Sequence, residues 1–368
     1  MKTIVITDGK YRSAISAART LGRAGYHIVV TQTRGDTRAE PPVFSSKYAA
    51  RTHWIAGKAS DAEYPERLCE VLRQYDRPVL LCVGAASLNA VSRAAAALEP
   101  YCDSLIAAPE VLDALNDKAV VHARAEALGL PVPKEYSGAP DAYPVVLKPH
   151  CGEKFGLKAA DRYHIARNAQ EYAAALDVLR QYDPEPIVQE YVSGPGQGVS
   201  LLLDRESRLI CALCHRRVRE YPITGGPSAC CESIYDAELI DRAYRLLRSF
   251  GFVGMAMVEF KGDRILEVNP RIWGSFPLTA CAESPMAVRY AETAAGEHPA
   301  YVPQDYTVGV RMRFLLNDTL ATLKLFAAGR WREAFAGVAD VFRAKEALAD
   351  RDDPKPFRRY LKTTVLGK

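Results

Sequence analysis

A chain of 368 residues has room for two or three domains, and its 48% hydrophobic and 25% charged residues are ordinary for a soluble globular protein. Its formal net charge of +4 is too small to indicate nucleic-acid binding, and no apolar run approaches the roughly 20 residues of a membrane span. The beginning, MKTIVITDG, is typical of a strand and a turn rather than a signal peptide. The nine irregularly spaced cysteines favour reduced thiols, so we expect a cytoplasmic protein.

The first 112 residues alternate between strand-like and helix-like segments. Strands are predicted over residues 3–7, 27–31 and 78–83, and helices over residues 13–24 and 88–98. This order predicts right-handed parallel crossovers and a doubly wound α/β domain. A dinucleotide-binding domain is the alternative, but the first turn lacks G-x-G-x-x-G, and a standard P-loop is absent from the sequence.

Two lysines and a glycine-containing loop come next. Lys118 lies in a helix predicted over 109–130, and Lys148 lies at the exposed end of an apolar strand predicted over 143–149. The loop at 150–158 adds two glycines and two further lysines. Each lysine alone is more typical of a solvated surface charge. Together, the two lysines and the loop bring several positive charges into consecutive predicted elements.

A buried strand over 187–192 follows a helix predicted over 168–182, and it ends in Glu190, Tyr191 and Val192. We expect a turn over 193–198, which contains Gln197, and then a hairpin over 199–215. Within this hairpin, residues 211–215 match the C-x-x-C-H pattern of haem attachment. We reject haem attachment because that chemistry belongs to exported proteins, and because residues three apart on a strand point to opposite faces. A zinc site completed by Cys230 and Cys231 is disfavoured, since vicinal cysteines are poor tetrahedral ligands.

Residues 215–228 are rich in cations and end in a flexible Gly-Gly pair. One interpretation is an anion pocket, because guanidinium groups bind carboxylates bidentately and exposed backbone N–H groups hold oxyanions. The alternative is a surface strand with salt bridges.

The segment 254–275 places Glu259, Glu267 and Asn269 on two short apolar strands. Glu267 and Asn269 share a face, since residues two apart on a strand do so. Glu259 joins them only if opposite residue numbers sum to an even value, which predicts an odd loop such as 262–264. Facing carboxylates repel each other, so a cation such as Mg²⁺ is expected between them. The alternative is a solvated hairpin with incidental acids.

The run Glu259…Glu267-Val-Asn269-Pro-Arg271 resembles the metal-binding signature of the ATP-grasp superfamily, which includes D-Ala–D-Ala ligase, biotin carboxylase and carbamoyl-phosphate synthase. The two lysines precede it in the family's order, and residues 215–228 resemble the carbamoyl-phosphate-synthase-like, carboxylate–amine ligase branch. The resemblance implies an N-terminal domain over 1–112, an ATP-grasp domain over 113–300 with a lid over about 119–192, and a helical extension over 301–368.

The resemblance also implies roles for individual residues. Magnesium or manganese would be bound by Glu259, Glu267 and Asn269, and ATP by Lys118, Lys148, Glu190, Tyr191, Val192 and Gln197. Catalysis would use Arg271 and Arg217. Substrate contacts would come from His215, Arg219, Gly225, Gly226, Ser228 and Ser275.

The expected reaction joins a carboxylate to an amine or thiol through an acylphosphate at the expense of ATP. One alternative is release of the phosphorylated carboxylate or carbamate, and another is a non-catalytic nucleotide-binding protein. The expected partners are a small carboxylate and a small amine, without nucleic acid. Helices predicted over 315–328 and 331–341 either pack on the body, mediate a homodimer or attach to an anionic membrane surface.

Overall fold

The computed structural model describes residues 2–37, 39–150, 157, 163–223 and 225–366. Within these ranges, the strands form three sheets of four, seven and three strands. In the same ranges, we find no helix that is long and apolar enough to cross a membrane. Most of the predicted loop at 150–158, including its two glycines and both of its lysines, lies outside the described residues.

The N-terminal sheet is parallel, with the order β3-β2-β1-β4. Its elements are β1 Thr3–Ile6, α1 Arg12–Arg23, β2 His27–Thr33, a 3-10 helix Pro42–Ser45, β3 Ala49–Ile55, α2 Tyr64–Leu72, β4 Val79–Leu81, α3 Ala85–Arg93 and α4 Ala95–Leu98. The predicted α/β class and parallel crossover are confirmed. β3 escaped prediction because this edge strand carries polar residues where an apolar alternation would be expected.

The helix predicted over 109–130 is two helices, α5 Pro109–Asn116 and α6 Lys118–Ala127. Asp117 interrupts it in an extended conformation, and its carboxylate accepts hydrogen bonds from the N–H groups of Ala119 (2.9 Å) and Val120 (3.3 Å). Asp117 is therefore the N-cap of α6. The prediction of one continuous helix was wrong, and Lys118 is the first residue of a new helix.

The smallest sheet has the antiparallel order β6-β5-β7 and falls within the residues predicted as a lid, and we keep that name for it. Its elements are β5 Val145–Lys148, β6 His164–Ala166, α7 Ala169–Leu179 and β7 Ile187–Glu190. Val145 and Leu147 pack with Leu179 of α7 in a small core. Because alternate residues on a strand point to opposite faces, Val146 and Lys148 project from the other face of this sheet.

The large sheet has the order β12-β11-β8-β9-β10-β13-β14. Its strands and the helices between them are β8 Gly196–Leu203, β9 Leu209–Glu220, β10 Ser228–Ile234, α8 Ala237–Ser249, β11 Gly254–Lys261, β12 Arg264–Asn269, α9 Pro277–Cys281, α10 Met286–Ala294, β13 Arg311–Arg313, α11 Leu315–Ala327, α12 Trp331–Arg343 and β14 Lys345–Glu346. A last helix, α13, spans Lys355–Leu366.

Both faces of this sheet are buried. Leu201 lies in the core that contains α8, whereas its neighbour Leu202 lies in the core that contains α10. Cys214 and Cys211 divide between the same two cores, so they point to opposite faces as expected.

The C-terminal extension is fastened to the large sheet by backbone pairing and by buried charge. Its strand β13 pairs with β10. The guanidinium group of Arg219 on β9 donates to Asp318 of α11 and to Asp340 of α12, each at 2.7 Å. Arg311 of β13 donates to the other oxygen of Asp340, also at 2.7 Å. Arg219 and both aspartates are almost fully buried, so each charge depends on its partners.

We predict that Arg219→Met lowers the free energy of unfolding by about 3–5 kcal/mol, because it leaves Asp318 and Asp340 without this partner inside the protein. Arg216→Met is the matched control. Arg216 pairs with Glu232 but is half exposed, so its loss should cost no more than about 1 kcal/mol. Urea denaturation of both variants measures the difference, and equal midpoints would show that the buried cluster contributes little.

Candidate active site

A cleft of about 540 Å³ lies between the lid and the large sheet. Val146 and Ile165 line it from the lid, and Met257 and Leu266 line it from the large sheet. These apolar walls surround a group of charged side chains. The volume and the mixture of apolar walls with a few convergent polar groups are typical of small-molecule sites.

The β11–β12 hairpin brings the predicted oxygen-bearing side chains together. Glu259 lies directly opposite Glu267, and Met257 lies opposite Asn269. The Asn269 amide donates a hydrogen bond of 3.0 Å to Glu259. The predicted three-residue loop was wrong, because the turn contains only Gly262 and Asp263. A register shift after Glu259 compensates for the shorter turn and keeps the two carboxylates face to face.

Both predicted lysines reach this hairpin. The Lys118 ammonium lies 3.1 Å from Glu267, and the Lys148 ammonium donates to the carbonyl of Leu266 at 3.4 Å. Lys148 is buried, so the prediction of an exposed strand end was wrong for its side chain. Burial lowers the pKa of Lys148 to about 8, although Glu267 opposes that change. Burial also acts to raise the pKa of Glu267, but the two lysines outweigh it and hold the pKa at about 2.

Arg217 neutralises the other carboxylate from two strands away. It extends from β9 across β8 and forms an ion pair with Glu259. Burial raises the pKa of Glu259, Arg217 opposes this, and neighbouring Glu267 adds to the increase. The Glu259 carboxyl is therefore the more easily protonated of the two, while Glu267 keeps its charge beside the lysines.

Two glycines on β8 make room for this reach. A Cβ atom on Gly196 would lie 3.1 Å from Cδ of Arg217, and one on Gly198 would lie 2.3 Å from Cε1 of His215. The prediction of a turn over 193–198 was wrong in its second half, because β8 begins at Gly196. These glycines clear the strand surface beneath Arg217 and His215.

A register shift separates the roles of two neighbouring arginines. Arg217 lies opposite Cys231, whereas Arg219 lies opposite Cys230, so the pairing of β9 with β10 slips between them. Adjacent cysteines point to opposite faces, and the two arginines therefore do so as well. Arg217 faces the cleft and Arg219 faces the C-terminal helices. The predicted substrate contact of Arg219 is corrected to a structural ion pair.

The predicted residues that line the cleft are Lys118, Lys148, Tyr191, Val192, Arg217, Gly225, Gly226, Glu259, Glu267, Asn269 and Arg271. The predicted residues outside its lining are Glu190, Gln197, His215, Arg219, Ser228 and Ser275. Eleven residues from distant parts of the chain thus meet at one cavity.

His215, Ser275 and Ser228 are buried outside the cleft lining. His215 Nε2 lies 3.4 Å from the Ser275 hydroxyl. Burial, assisted by Arg217, lowers the pKa of His215 to about 3, so its ring is neutral at pH 7 and cannot attract an anion by charge. The structure thus provides no support for substrate contacts by these three side chains.

Glu190 and Gln197 also lie apart from the predicted nucleotide contacts. Glu190 accepts a hydrogen bond of 3.0 Å from the Lys134 backbone and pairs with Arg264 at 3.3 Å. Gln197 lies between Gly196 and Gly198 on β8. Its side chain therefore points to the opposite face of the sheet from Arg217 and His215, which lie over the two glycines. Glu190 and Gln197 therefore lie outside the cleft lining, which corrects the prediction that their side chains contact ATP.

Residues 115–275 match the family model described as an ATP-grasp domain. This part of the chain is an ATP-grasp domain. The match confirms the predicted superfamily and runs from the end of α5 to Ser275, which includes both lysines and the whole β11–β12 hairpin. A comparison with curated proteins found no match.

Solved structures share the fold of this chain at low sequence identity. Biotin carboxylase from Campylobacter jejuni has a TM-score of 0.63 at 16% identity, over 84% of this chain and 74% of its own. The biotin carboxylase domain of 2-oxoglutarate carboxylase from Hydrogenobacter thermophilus has a TM-score of 0.62 at 14% identity, over 84% and 73%. L-amino acid ligase from Bacillus licheniformis has a TM-score of 0.55 at 14% identity, over 80% and 74%.

The ATP-grasp domain also contains residues that sequence reasoning missed. Gln189 lines the cleft, and its buried side-chain oxygen has no hydrogen-bond partner among the described residues. Tyr163 lines it as well, with its hydroxyl where a Cβ atom of Gly225 would lie. The alternation of residues in β7 and the Gly225-Gly226 pair were the signals available in the sequence, but neither shows which face meets the cleft.

His122 is a further missed residue, one helical turn after Lys118. It is buried, and its Nε2 donates to the Leu266 carbonyl at 3.0 Å while Nδ1 lies 2.5 Å from Glu135. The Leu266 carbonyl also accepts from Lys148. His122 therefore attaches α6 to the β11–β12 hairpin. Because Lys118 lies on the same helix, this contact also fixes the position of Lys118 in the ATP-grasp cleft.

We predict that Lys148 reacts with a small acylating reagent at a rate that rises with a midpoint near pH 8, because burial lowers its pKa. Lys134 is the internal control, since its hydrogen bond with Asp141 raises its pKa. Its midpoint should lie above the ordinary lysine value of about 10.4. Mass spectrometry of the two peptides gives both curves from one sample, and coincident curves would contradict the assigned environment of Lys148.

Proposed function

We propose that this protein is an ATP-dependent, ADP-forming ligase that joins a small carboxylate to an amine or a thiol through an acylphosphate. The observation that carries this proposal is the convergence of two lysines and the Glu259, Glu267 and Asn269 set in one cleft of an ATP-grasp domain. One structure of similar fold is, by its name, an L-amino acid ligase, and we assign the same class of reaction here.

The triphosphate of ATP is assigned to the end of the cleft where Lys118 and Lys148 meet. The Lys118 ammonium contacts Glu267 and the Lys148 ammonium contacts its neighbour Leu266 on β12, so the two lysines supply positive charge to one small region. In this apolar, partly enclosed setting, fixed charges act more strongly on phosphate oxygens than they would in water.

The adenine ring is assigned to the segment after β7. Tyr191 and Val192 line the cleft, and the Tyr191 N–H already donates to the carbonyl of Pro144. We therefore expect the base to meet the Tyr191 carbonyl and the Val192 N–H. The unpaired side-chain oxygen of Gln189 is suited to accept from an exocyclic amine such as that of adenine.

The donor set of the hairpin fits a hard divalent cation. Two carboxylates and a carboxamide offer oxygen ligands of the kind that Mg²⁺ and Mn²⁺ prefer. Among the described residues, no group of three His, Cys, Asp or Glu side chains gathers at one point, so the nucleotide would complete the coordination. Bound by Glu259, Glu267 and Asn269, the ion would offset the charge of the ATP phosphates.

The carboxylate substrate is assigned to the side of the cleft formed by Arg217, Arg271 and the Gly225-Gly226 backbone. A carboxylate oxygen attacks the γ-phosphorus, the bond to ADP breaks, and an acylphosphate forms. The amine nitrogen then attacks the acyl carbon, and phosphate and a proton leave. Guanidinium and backbone N–H groups stabilise the charge that develops in both steps, and no protein nucleophile is required.

We predict that Glu267→Gln reduces ATP turnover by about 100-fold or more, because it removes a charge that both lysines and the bound ion require. Glu70→Gln is the matched control, on the exposed surface of α2. Phosphate release is measured for both variants, with thermal unfolding to show that they are folded. Unchanged turnover in Glu267→Gln would remove the catalytic assignment of the hairpin.

The choice between a ligase and an enzyme that releases its phosphorylated product depends on an amine site. A screen of amino acids and small amines for phosphate release, with mass detection of products, decides between them. We predict that ADP formation accelerates with the correct amine and that the condensed product appears. Amine-independent ADP formation with a released acylphosphate would favour the alternative, and the absence of any turnover would favour a non-catalytic nucleotide-binding protein.

A further inference from the structure

In the C-terminal helical hairpin, α11 and α12, the buried positions are small or acidic apart from Leu325 of α11, and most of the large apolar residues of α12 lie outside. The residues of α12 that face the protein are Ala334, Gly337 and Asp340. A Cβ atom on Gly337 would lie 2.4 Å from the hydroxyl oxygen of Thr322 on α11, so the two helices are in close contact. A helix that packs on a core normally places its large apolar side chains inward. On α12 the inward positions are occupied by Ala334, Gly337 and Asp340, so the large apolar side chains have no place against the protein.

The outer face of this hairpin carries a continuous apolar surface. Phe342 is 88% exposed, Phe335 63% and Trp331 59%, and their spacing places them on one stripe of α12. Phe326 of α11 contacts Trp331 and Phe335, with ring centroids 5.7 and 5.4 Å apart. Leu323, one turn earlier, is also exposed. We call this surface, formed by Leu323, Phe326, Trp331, Phe335, Val338 and Phe342, the outer apolar face.

The surroundings of the outer apolar face are positively charged. The exposed cations of this region are Lys324, Arg330, Arg332, Arg343 and Lys345. Asp318 and Asp340 are buried against Arg219. The exposed Glu333 is balanced by Arg330, which leaves Lys324, Arg332, Arg343 and Lys345 as the excess positive charge. An apolar helical face with a cationic margin matches a surface that is apolar inside and anionic outside.

We propose that the outer apolar face docks onto an anionic phospholipid bilayer, with Trp331, Phe335 and Phe342 inserted among the lipids. A second copy of the chain is the competing occupant. A two-fold dimer would place each patch against the same patch and bring the cationic margins together, which like-charge repulsion disfavours. A bilayer with acidic headgroups offers the complementary charge. The hairpin lies in the interface and does not cross it, consistent with the absence of a spanning helix in the described residues.

This docking is independent of the proposed reaction, so flotation with lipid vesicles tests it without activity. At low salt, the full chain should float with phosphatidylglycerol vesicles and remain behind with phosphatidylcholine vesicles. Raising the salt to about 0.5 M should release it, because screening weakens attraction between exposed charges. Failure to float with acidic vesicles at low salt, or equal flotation with neutral vesicles, would overturn the proposal.

Two sets of variants separate the apolar from the electrostatic contribution. Combined W331S, F335S and F342S should abolish flotation, whereas V178S with Y182S, which changes exposed residues of the lid, should not. Combined K324E and R332E should weaken binding at least about tenfold, since each cation near the surface strengthens it several-fold. Arg180→Glu on the lid is its control, with no effect expected. Flotation that survives both sets of changes would disprove docking through this face.

Sedimentation of the unmodified chain tests the competing occupant directly. A monomer that floats supports the bilayer. A dimer that the W331S, F335S and F342S changes dissociate would show that a second copy covers this face. Thermal unfolding of each variant shows that the change lies in binding, because exposed side chains contribute little to stability.

Discussion

The site depends on the neutralisation of two half-buried carboxylates that face each other across a hairpin. Glu259 and Glu267 would repel each other in a partly apolar cleft if each lacked a cation. Arg217 supplies one from the sheet, and Lys118 supplies the other from α6, with Lys148 close by. Sheet, helix and lid therefore meet at this pair of acids. The same cations that balance the acids are the ones that we assign to phosphates and a carboxylate.

This balance explains features that have little meaning alone. Gly196 on β8 leaves room for Arg217, whose side chain crosses that strand to reach Glu259. The bulge after Glu259 exists because a two-residue turn would otherwise place the acids out of register. The N-cap at Asp117 starts a helix whose first residue is Lys118, and His122 then holds this helix against the hairpin. Each of these local features positions one charged side chain of the site.

The sequence predicted those features of the fold and the site that follow directly from the order of residues along the chain. The β-α-β crossover and the family's order of two lysines before an acid-acid-Asn set are of this kind. The pairing of Glu259 with Glu267 was expected from an odd loop, whereas a register shift produces it. The sequence could not show where a backbone register slips. Arg217 and Arg219 are two apart and would share a face on a regular strand, but the shift opposite Cys230 and Cys231 sends them to opposite sides. The burial of His215 and Lys148 depends on segments distant in the chain, which a local pattern cannot reveal.

The pairing of β13 with β10 has a consequence for what counts as a folding unit. The family match ends at residue 275, before β13 begins, so a protein cut at that boundary would leave β10 as an open edge. Open edges of sheets recruit strands from other chains and lead to aggregation. Arg219 would also lose both of its carboxylate partners. The smallest fragment that can fold alone is therefore longer than the segment 115–275 that matches the family model.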